Sequence, residues 1–300
     1  MDDKIEIISD DVIDCPISTE IPIKYHNLVL SGGSVKGISQ IGALKKLIEA
    51  NVLDFTKLKA VAGSSAGSML SILIVLGYDI DEIWDFMLYL DLAGMVNPDC
   101  CMLIQQLGMD DGKIIHNFFE DILAKKTGIK NINFEQLYHI TKIHLTITGS
   151  CLTTKNVAYF DHINNPTLQV ALAIRISISM PGFFTPIYYN DKIYIDGALL
   201  NEYPMNVFTH DLDHTIGISI RNNFVTTFNY PEEYCMSIIN LFLYNFYRKS
   251  RKYETNTVVI PIIKDQTNVN IFNFSVDYET KLHLYNIGYL ASTDFLNKNN

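Results

Sequence analysis

The chain has 300 residues, of which 48% are hydrophobic and 19% charged, and its formal net charge is -10. This composition excludes a disordered chain, and the acidic balance argues against a general nucleic-acid binder, which needs a net basic face. We therefore expect a globular protein with a sizeable buried core and no nucleic-acid partner.

The N-terminal region predicts no targeting signal. Residues 1–14 carry acidic side chains where a secretory signal has a basic region followed by an apolar core. The longest apolar stretches, 69–76 and 235–246, are shorter than the roughly 20 residues that cross a bilayer. The five cysteines form no CxxC pair, which favours reduced thiols. The sequence thus predicts no signal peptide and no transmembrane segment, and a location that is cytoplasmic or peripheral at a membrane.

Short apolar runs alternate with helical periodicity along most of the chain. The first run, Asn27–Leu30, predicts a buried strand that leads into a Gly-rich turn at 31–37. The further predicted strands are 58–62, 143–148, 157–160, 193–195, 215–220 and 257–263. The predicted helices are 38–48, 68–76, 81–92 with Asp81 as its cap, 113–126 and 234–247.

This alternation indicates an α/β fold with a mostly parallel sheet between layers of helices. We expect an N-terminal leader at 1–24, a main domain at 25–222, and an α/β extension at 223–300 packed on the same domain. The helix at 234–247 is apolar on nearly every side, which favours a buried helix. Because four basic residues follow it at 248–252, an interfacial helix on a membrane is the alternative.

The turn Gly63-Ser64-Ser65-Ala66-Gly67 fits the G-x-S-x-G pattern with Ser65 at its centre. A serine on a sharp strand-to-helix turn is exposed at a helix N-terminus, and its flanking residues must be small so that strand and helix can pass closely. The segment lies between an apolar strand and an apolar helix, as this pattern requires. An ordinary Gly-rich turn is the alternative.

A second Gly-rich turn, Ser31-Gly-Gly-Ser-Val-Lys-Gly37, also joins a predicted strand to a predicted helix. Its spacing matches neither a P-loop nor a dinucleotide-binding loop. It offers unhindered backbone N–H groups near a helix start, which suit an oxyanion. An anion site and a plain tight turn are equally compatible with this segment alone.

Asp196 and the histidines are ambiguous when each is taken alone. Asp196 precedes Gly197, and Asp-Gly is among the commonest turn dipeptides. A Ser-His-Asp triad would need a histidine downstream, and His210, His214 and His283 are available. None of them lies in a Gly-rich setting, which favours solvated histidines over a catalytic one.

Taken together and in their order along the chain, five segments resemble the motifs of a patatin-like phospholipase. The resemblance covers about residues 27–222. The segments that carry it are Gly32-Gly-Ser-Val-Lys-Gly37, Gly63-Ser-Ser-Ala-Gly67, Arg175-Ile-Ser-Ile-Ser-Met-Pro-Gly-Phe-Phe-Thr-Pro186, Asp196-Gly-Ala198 and Leu199-Leu-Asn-Glu-Tyr-Pro204.

The resemblance implies a three-layer patatin-like fold with a nucleophile elbow and a Ser–Asp dyad that needs no histidine. Ser65 would be the nucleophile and Asp196 the base. Two positions depart from the usual pattern, since Ser34 and Ala198 stand where the family often has glycine. The other site residues that it implies are the oxyanion-hole positions Gly32, Gly33, Ser34 and Val35, the loop supports Lys36 and Gly37, and the elbow glycines Gly63 and Gly67.

The implied activity is that of a phospholipase A-type acyl hydrolase that meets its lipid substrate at a transient membrane surface. A serine esterase or lipase for neutral or short-chain esters is one alternative, and an inactive scaffold that binds lipid or a partner protein is another. No metal or cofactor is expected, because the acidic run Asp110-Asp111-Gly112 lacks the further oxygen ligands of a calcium loop. The sequence predicts no oligomeric state.

Overall fold

The computed structural model describes residues 23–222, Ser237, 251–262 and 274–299. The strands in these residues are β1 (Asn27–Leu30), β2 (Ala60–Gly63), β3 (Gly108–Asp110), β4 (His144–Cys151), β5 (Asn156–Phe160), β6 (Gly182–Phe184), β7 (Ile187–Tyr189), β8 (Lys192–Asp196), β9 (Thr215–Asn222) and β10 (Thr257–Ile262). The helices are α1 (Ile38–Glu49), α2 (Ala66–Val75), α3 (Ile80–Tyr89), α4 (Cys100–Gln106), α5 (Lys113–Thr127), α6 (Phe134–Thr141), α7 (Val170–Ser177), α8 (Ala198–Asn201) and α9 (Tyr278–Asn299).

A mixed sheet forms the centre of the described fold. Its strands follow the order β10-β9-β1-β2-β4-β8-β7, and β5 pairs with β4. The five strands from β10 to β4 are parallel, whereas β5, β7 and β8 join by antiparallel pairs. β3 and β6 form a separate parallel pair. The predicted α/β class, with a mostly parallel sheet and flanking helices, is confirmed.

Successive side chains of β1 point alternately into two hydrophobic cores, one on each face of the sheet. Leu28 and Leu30 lie in the larger core, which the helices cover. Val29 points to the other face and packs in a smaller core with Tyr203 and Tyr253. Because successive side chains of a strand point to opposite faces, a strand that is apolar throughout must be covered on both sides. The sheet is therefore the middle layer of the fold.

The register of β1 and β2 brings the two Gly-rich turns together. Leu30, the last residue of β1, pairs with Gly63, the last residue of β2. The carboxyl ends of neighbouring parallel strands lie at the same edge of a sheet, where α/β proteins bind their ligands. The turns at 31–37 and 64–65 consequently leave the sheet side by side.

The predicted elements that fall within the described residues are all present, and their ends agree to within three residues. The predicted cap of α3 was wrong, because Asp79 rather than Asp81 accepts the free N–H groups of the first turn. Asp79 forms a capping box with Glu82, whereas Asp81 binds Lys45 at 2.7 Å. The predicted helix at 234–247, apart from Ser237, and the leader up to residue 22 lie outside the described residues.

Helix α9 was not predicted, because small residues rather than large apolar ones form its contact with α1. A Cβ atom built on Gly288 would lie 1.7 Å from the carbonyl oxygen of Ser39, and one on Gly42 would lie 1.9 Å from that of Tyr285. Ser292 adds a hydrogen bond of 2.9 Å to the carbonyl of Ala43. Such a face leaves no strong apolar period in the sequence, yet it lets the two backbones touch.

Among the described helices, none is by itself long and apolar enough to cross a membrane. Helix α3 and residues 93–106 would meet that requirement together, but they are bent by 86° with respect to each other.

The contact between α1 and α9 predicts the effect of a larger side chain. Gly288→Leu should lower the free energy of unfolding by about 3 kcal/mol or more, because an added side chain must push the two backbones apart. Urea unfolding followed by circular dichroism measures this loss. Leu290→Ala is the matched control, since Leu290 is exposed on the same helix and should change stability by less than about 0.5 kcal/mol. An unchanged midpoint for Gly288→Leu would contradict the close contact.

Candidate active site

Ser65 lies on a strained turn between β2 and α2. Its backbone has φ 49° and ψ -122°, a conformation that costs a non-glycine residue of order 1–3 kcal/mol. A Cβ atom on Gly63 would lie 2.5 Å from the carbonyl oxygen of Gly67, and one on Gly67 would lie 2.3 Å from that of Leu30. Only glycine therefore fits on either side of this turn. The turn presents the hydroxyl of Ser65 at the first turn of α2.

Ser65 and Asp196 form a hydrogen bond across the site. The Ser65 hydroxyl donates to Asp196 Oδ2 at 3.0 Å, and the N–H of Ala198 donates to Asp196 Oδ1 at 2.8 Å. Asp196 is 1% exposed and Ser65 is 8% exposed. The carboxylate is thus held on both oxygens, one of them by the hydroxyl group that it would have to deprotonate.

Burial changes the basicity of Asp196. Removal from water raises the pKa of this carboxyl to about 7, although the hydrogen bonds from Ala198 and Ser65 act in the opposite direction. An ordinary aspartate has a pKa near 4 and is a weak base at neutral pH. A carboxyl that titrates close to neutral pH is well matched to accept a proton from a serine.

The segment from Ser177 to Ser179 holds the elbow and the Asp196 loop together. Ser177 Oγ accepts the N–H of Ser65 at 2.9 Å, and the Ser177 carbonyl accepts the N–H of Gly197 at 3.2 Å. The Ser179 carbonyl accepts the N–H of Asp196 at 2.9 Å. Sequence reasoning recognised this segment but assigned no role to Ser177. The only sequence signal at Ser177 is that a small polar residue stands within an apolar run.

Arg175 anchors the same segment from below. Its guanidinium is buried and donates to Ser179 Oγ at 2.6 Å and to the carbonyls of Asp111 and Thr185 at 3.0 Å. Burial lowers the pKa of Arg175 to about 10, and the charges of Asp110 and Asp111 oppose that effect. The side chain remains charged at neutral pH and ties the end of α7 to the loop before α5.

The Gly-rich turn after β1 lies next to Ser65. One of the predicted oxyanion donors on this turn was wrong. The N–H of Gly32 is not available for an oxyanion, because it donates to the carbonyl of Glu202 at 3.0 Å. Within the described part of the chain, the N–H groups of Gly33 and Val35 make no hydrogen bond to another protein group. Ser34 has φ 50°, the left-handed conformation in which glycine carries no strain.

Gly37 and Lys36 close the turn against the elbow. A Cβ atom on Gly37 would lie 2.9 Å from that of Ala66, so glycine lets the turn pack on the start of α2. The positive charge of Lys36 acts on the carboxyl of Glu202 and lowers its pKa. Gly37 thus lies against the elbow, and Lys36 acts electrostatically on Glu202.

Glu202 is a second carboxyl residue near Ser65, and sequence reasoning missed it. The position that a Cβ atom on Gly32 would take is 3.4 Å from Ser65 Cβ and 3.5 Å from Glu202 Cγ. Burial, and then the charge of Asp196, raise the pKa of Glu202 to about 8, while Lys36 acts against them. Glu202 reaches the site through the backbone of the Gly-rich turn, which leaves no sequence pattern to detect.

An apolar cavity of about 130 Å³ opens at the Ser65 hydroxyl. The side chains of Ser65, Asp196 and Ser34 are the polar groups of its lining. Helices α1, α2, α3 and α5, the strand β6 and Phe274 form its walls. Representative wall residues are Ile41, Leu73, Phe86, Phe119, Phe183 and Phe274.

The three candidate histidines do not join this site. His210, His214 and His283 are exposed. The nearest described partner of His214 is Asp211, whose Oδ1 lies 2.7 Å from His214 Nδ1. Among residues 23–222, 251–262 and 274–299, no three His, Cys, Asp or Glu side chains are placed so that they could hold a metal ion.

Comparisons with known proteins agree with the motifs. A family model described as patatin-like phospholipase matches residues 28–209. An uncharacterised protein of Acanthamoeba polyphaga mimivirus is 29% identical over 285 residues, which are 88% of this chain and 91% of that protein. A probable lipid hydrolase of Invertebrate iridescent virus 6 is 27% identical over 196 residues, which are 64% of this chain and 66% of the relative.

A solved structure is similar in fold. VipD from Legionella pneumophila superposes with a TM-score of 0.62 and 16% sequence identity, over 93% of this chain and 67% of VipD. At this level of identity the likeness concerns the fold alone.

The hydrogen bond from Ser65 N–H to Ser177 predicts a positioning effect. Ser177→Ala should slow the reaction of Ser65 with a fluorophosphonate by roughly ten- to a hundredfold, because a small displacement of a reacting group costs that much. Intact-protein mass spectrometry over time measures the labelling rate. Ser292→Ala is the matched control, since Ser292 is equally buried and hydrogen-bonded but contacts α1. Equal labelling rates in the two variants would contradict a positioning role.

Proposed function

The chain belongs to the patatin-like phospholipase family, and from that premise we propose that it is a phospholipase A-type acyl hydrolase. It would cleave fatty-acyl esters of phospholipids through Ser65 and Asp196. One observation carries the proposal: the Ser65 hydroxyl donates to a buried carboxylate at the end of an apolar cavity.

The hydrogen bond between Ser65 and Asp196 supports a two-step reaction. Ser65 Oγ attacks the ester carbonyl while its proton passes to Asp196 Oδ2. The tetrahedral intermediate collapses to an acyl-enzyme, and the protonated Asp196 gives its proton to the departing alcohol. Water then attacks the acyl-enzyme, with the same carboxylate as base, and releases the fatty acid.

The Gly-rich turn and the start of α2 support the developing negative charge. The N–H groups of Gly33 and Val35 belong to the turn that packs on the elbow, and α2 begins immediately after Ser65. Backbone donors that are already oriented stabilise an oxyanion without reorganisation. Lys36 would keep the turn in place and offset the negative charge of Glu202.

The apolar cavity supports a long acyl chain as the group that is transferred. Each buried methylene contributes about 0.8 kcal/mol, so a cavity lined by aliphatic and aromatic side chains favours long chains over short ones. The ester carbonyl would then lie at Ser65, and the head group would remain outside. A lipid of this kind resides in a membrane, which makes a transient membrane surface the place of reaction.

Substitution of either member of the dyad tests the assignment. Ser65→Ala and Asp196→Asn should each lower fatty-acid release from phosphatidylcholine vesicles by at least about 10³-fold, because the two groups act as a unit. Mass spectrometry of the released lipids measures the rate, and circular dichroism checks that the fold is intact. The triple variant His210→Ala, His214→Ala, His283→Ala is the control and should retain activity. A comparable loss of fatty-acid release in that control would show that a histidine takes part, as in a Ser-His-Asp triad.

The pKa of Asp196 predicts the acid side of the pH profile. Asp196 accepts a proton only when ionised, and its pKa is about 7. The ratio kcat/KM should therefore rise with pH through about 7, rather than through about 4 as for an ordinary aspartate. Initial rates with a soluble ester between pH 5 and 9 give this profile. A plateau that already begins at pH 5 would contradict an Asp196 whose pKa is raised by burial.

The pKa of Glu202 predicts the alkaline side of the same profile. Its pKa is about 8, so a second negative charge forms beside Ser65 as the pH rises through that value. That charge opposes the oxyanion, and activity should fall. Glu202→Gln preserves the shape of the side chain. It should remove the decline of activity at high pH and leave the rise of activity through pH 7 unchanged. Glu135→Gln, an exposed carboxyl on α6, is the control. An alkaline decline that persists in Glu202→Gln would show that another group causes it.

A serine esterase for neutral esters is the second candidate. The observation in its favour is Glu202, whose side chain packs against the Gly-rich turn next to Ser65 and would repel an anionic head group once it ionises. Rates on phosphatidylcholine, triacylglycerol and a short-chain soluble ester distinguish the two candidates. A preference for triacylglycerol over phosphatidylcholine would favour the neutral-ester enzyme.

A further inference from the structure

Exposed apolar side chains are concentrated on one segment of the chain. Tyr89, Ile104 and Leu107 are 82%, 86% and 61% exposed, where a globular protein normally scatters such residues singly. Within the described part of the chain, six of the twelve exposed large hydrophobic residues lie between residues 86 and 114. They are Phe86, Tyr89, Leu103, Ile104, Leu107 and Ile114.

The same segment forms one wall of the apolar cavity. Residues of α3 and of the turn after it line the cavity, among them Met87, Leu90 and Met95. Phe86 lines the cavity and is also 36% exposed, so the cavity reaches the protein surface at α3. We call residues 86–107 the mouth segment. Its inner side chains contact the cavity, and others are exposed to solvent.

The charges on and around the mouth segment indicate which kind of lipid surface it could contact. From Asp79 to Gly112 the chain contains no Lys, Arg or His, and Asp91 and Asp99 within the mouth segment are acidic and exposed. Anionic lipids attract proteins through clusters of basic residues, and they would repel this region. A zwitterionic phospholipid surface carries no net charge, so the apolar side chains can enter it without electrostatic repulsion.

The mouth segment is held in place at both ends. At its start, the buried ammonium of Lys281 donates to the carbonyls of Met87, Leu88 and Leu90, at 3.0, 3.0 and 2.6 Å. The carbonyls of Met87 and Leu88 belong to the last turn of α3 and that of Leu90 to its C-cap, so none of them has a partner within the helix. At its far end, the N–H of Asp99 donates to the carbonyl of Met109 at 2.7 Å. The backbone of the mouth segment is thus hydrogen-bonded to α9 and to β3 without any lipid.

We propose that the mouth segment docks the protein on a zwitterionic phospholipid surface, with the opening of the cavity facing the lipid. A phospholipid then passes from the bilayer into the cavity, and its acyl chain remains among apolar groups throughout. The proposal rests on the proposed function, because it names the surface through which that function obtains its substrate.

The test removes apolar surface that lies outside the cavity lining. Ile104→Gln combined with Leu107→Asn changes two exposed residues of the mouth segment, and asparagine suits the left-handed backbone of Leu107, whose φ is 64°. Ile140→Gln combined with Ile163→Asn is the matched control. Those two side chains are 51% and 70% exposed, and neither lies in the mouth segment or the cavity lining.

Two measurements are made on each full-length protein. Flotation with phosphatidylcholine vesicles, with and without phosphatidylserine, measures binding, and fatty-acid release is compared with hydrolysis of a soluble short-chain ester. The mouth variant should bind phosphatidylcholine vesicles at least about tenfold more weakly than the wild type and the control. Its release of fatty acid from vesicles should fall by a similar factor, while its kcat/KM on the soluble ester stays within about twofold. Phosphatidylserine should not strengthen binding of the wild type.

The outcomes separate docking from catalysis. Equal vesicle binding by the mouth variant and the control would overturn the docking surface and leave the hydrolase proposal standing. Weaker binding of the mouth variant, in a protein that hydrolyses neither substrate, would support docking and overturn the proposed function. Binding that needs phosphatidylserine would overturn the choice of a zwitterionic surface. Light scattering that shows a dimer in the wild type and a monomer in the mouth variant would overturn the proposal, since a second copy would then cover the segment.

Discussion

The hydrogen bond between Ser65 and Asp196 is the constraint on which the rest of the site depends. It joins residues that are 131 positions apart in the sequence, at the ends of two strands that are not neighbours in the sheet. The distance of 3.0 Å exists only because the elbow holds Ser65 in a strained conformation and because Asp196 is buried with both oxygens occupied. Backbone strain of this kind persists only where the surrounding structure determines it fully.

That surrounding structure consists of close backbone approaches and of one polar segment. Gly63 and Gly67 have no side chains, so β2, α2 and the end of β1 can approach one another closely. Ser177 and Ser179 connect the elbow to the loop of Asp196, and Arg175 secures them with hydrogen bonds to carbonyls of two further loops. The burial that makes this arrangement rigid also raises the pKa of Asp196, so the geometry and the basicity of the site have the same physical origin.

The sequence allowed prediction of those features that depend on local chemistry. Strands and helices with a clear apolar period, and the strand-to-helix turn around Ser65, follow from spacing and residue type alone. Pairing Ser65 with Asp196 required a family resemblance, because an isolated Asp-Gly has no specific meaning. Contacts made through backbone atoms could not be foreseen: Gly32 donates to the carbonyl of Glu202, which brings a second carboxyl to the site. Helix α9 was missed for a related reason, since Gly288 and Ser292 allow close approach without forming an apolar stripe.

The most direct measurement of the Ser65–Asp196 mechanism is the location of the acyl group during turnover. The protein is mixed with phosphatidylcholine vesicles, quenched rapidly in acid and analysed by peptide mass spectrometry. If Ser65 is the nucleophile and Asp196 its base, the fatty-acyl mass appears on the peptide that contains Ser65 in the wild type and is absent from Asp196→Asn. Release of fatty acid with the acyl group on a different residue, or an equal yield on Ser65 in Asp196→Asn, would contradict the mechanism.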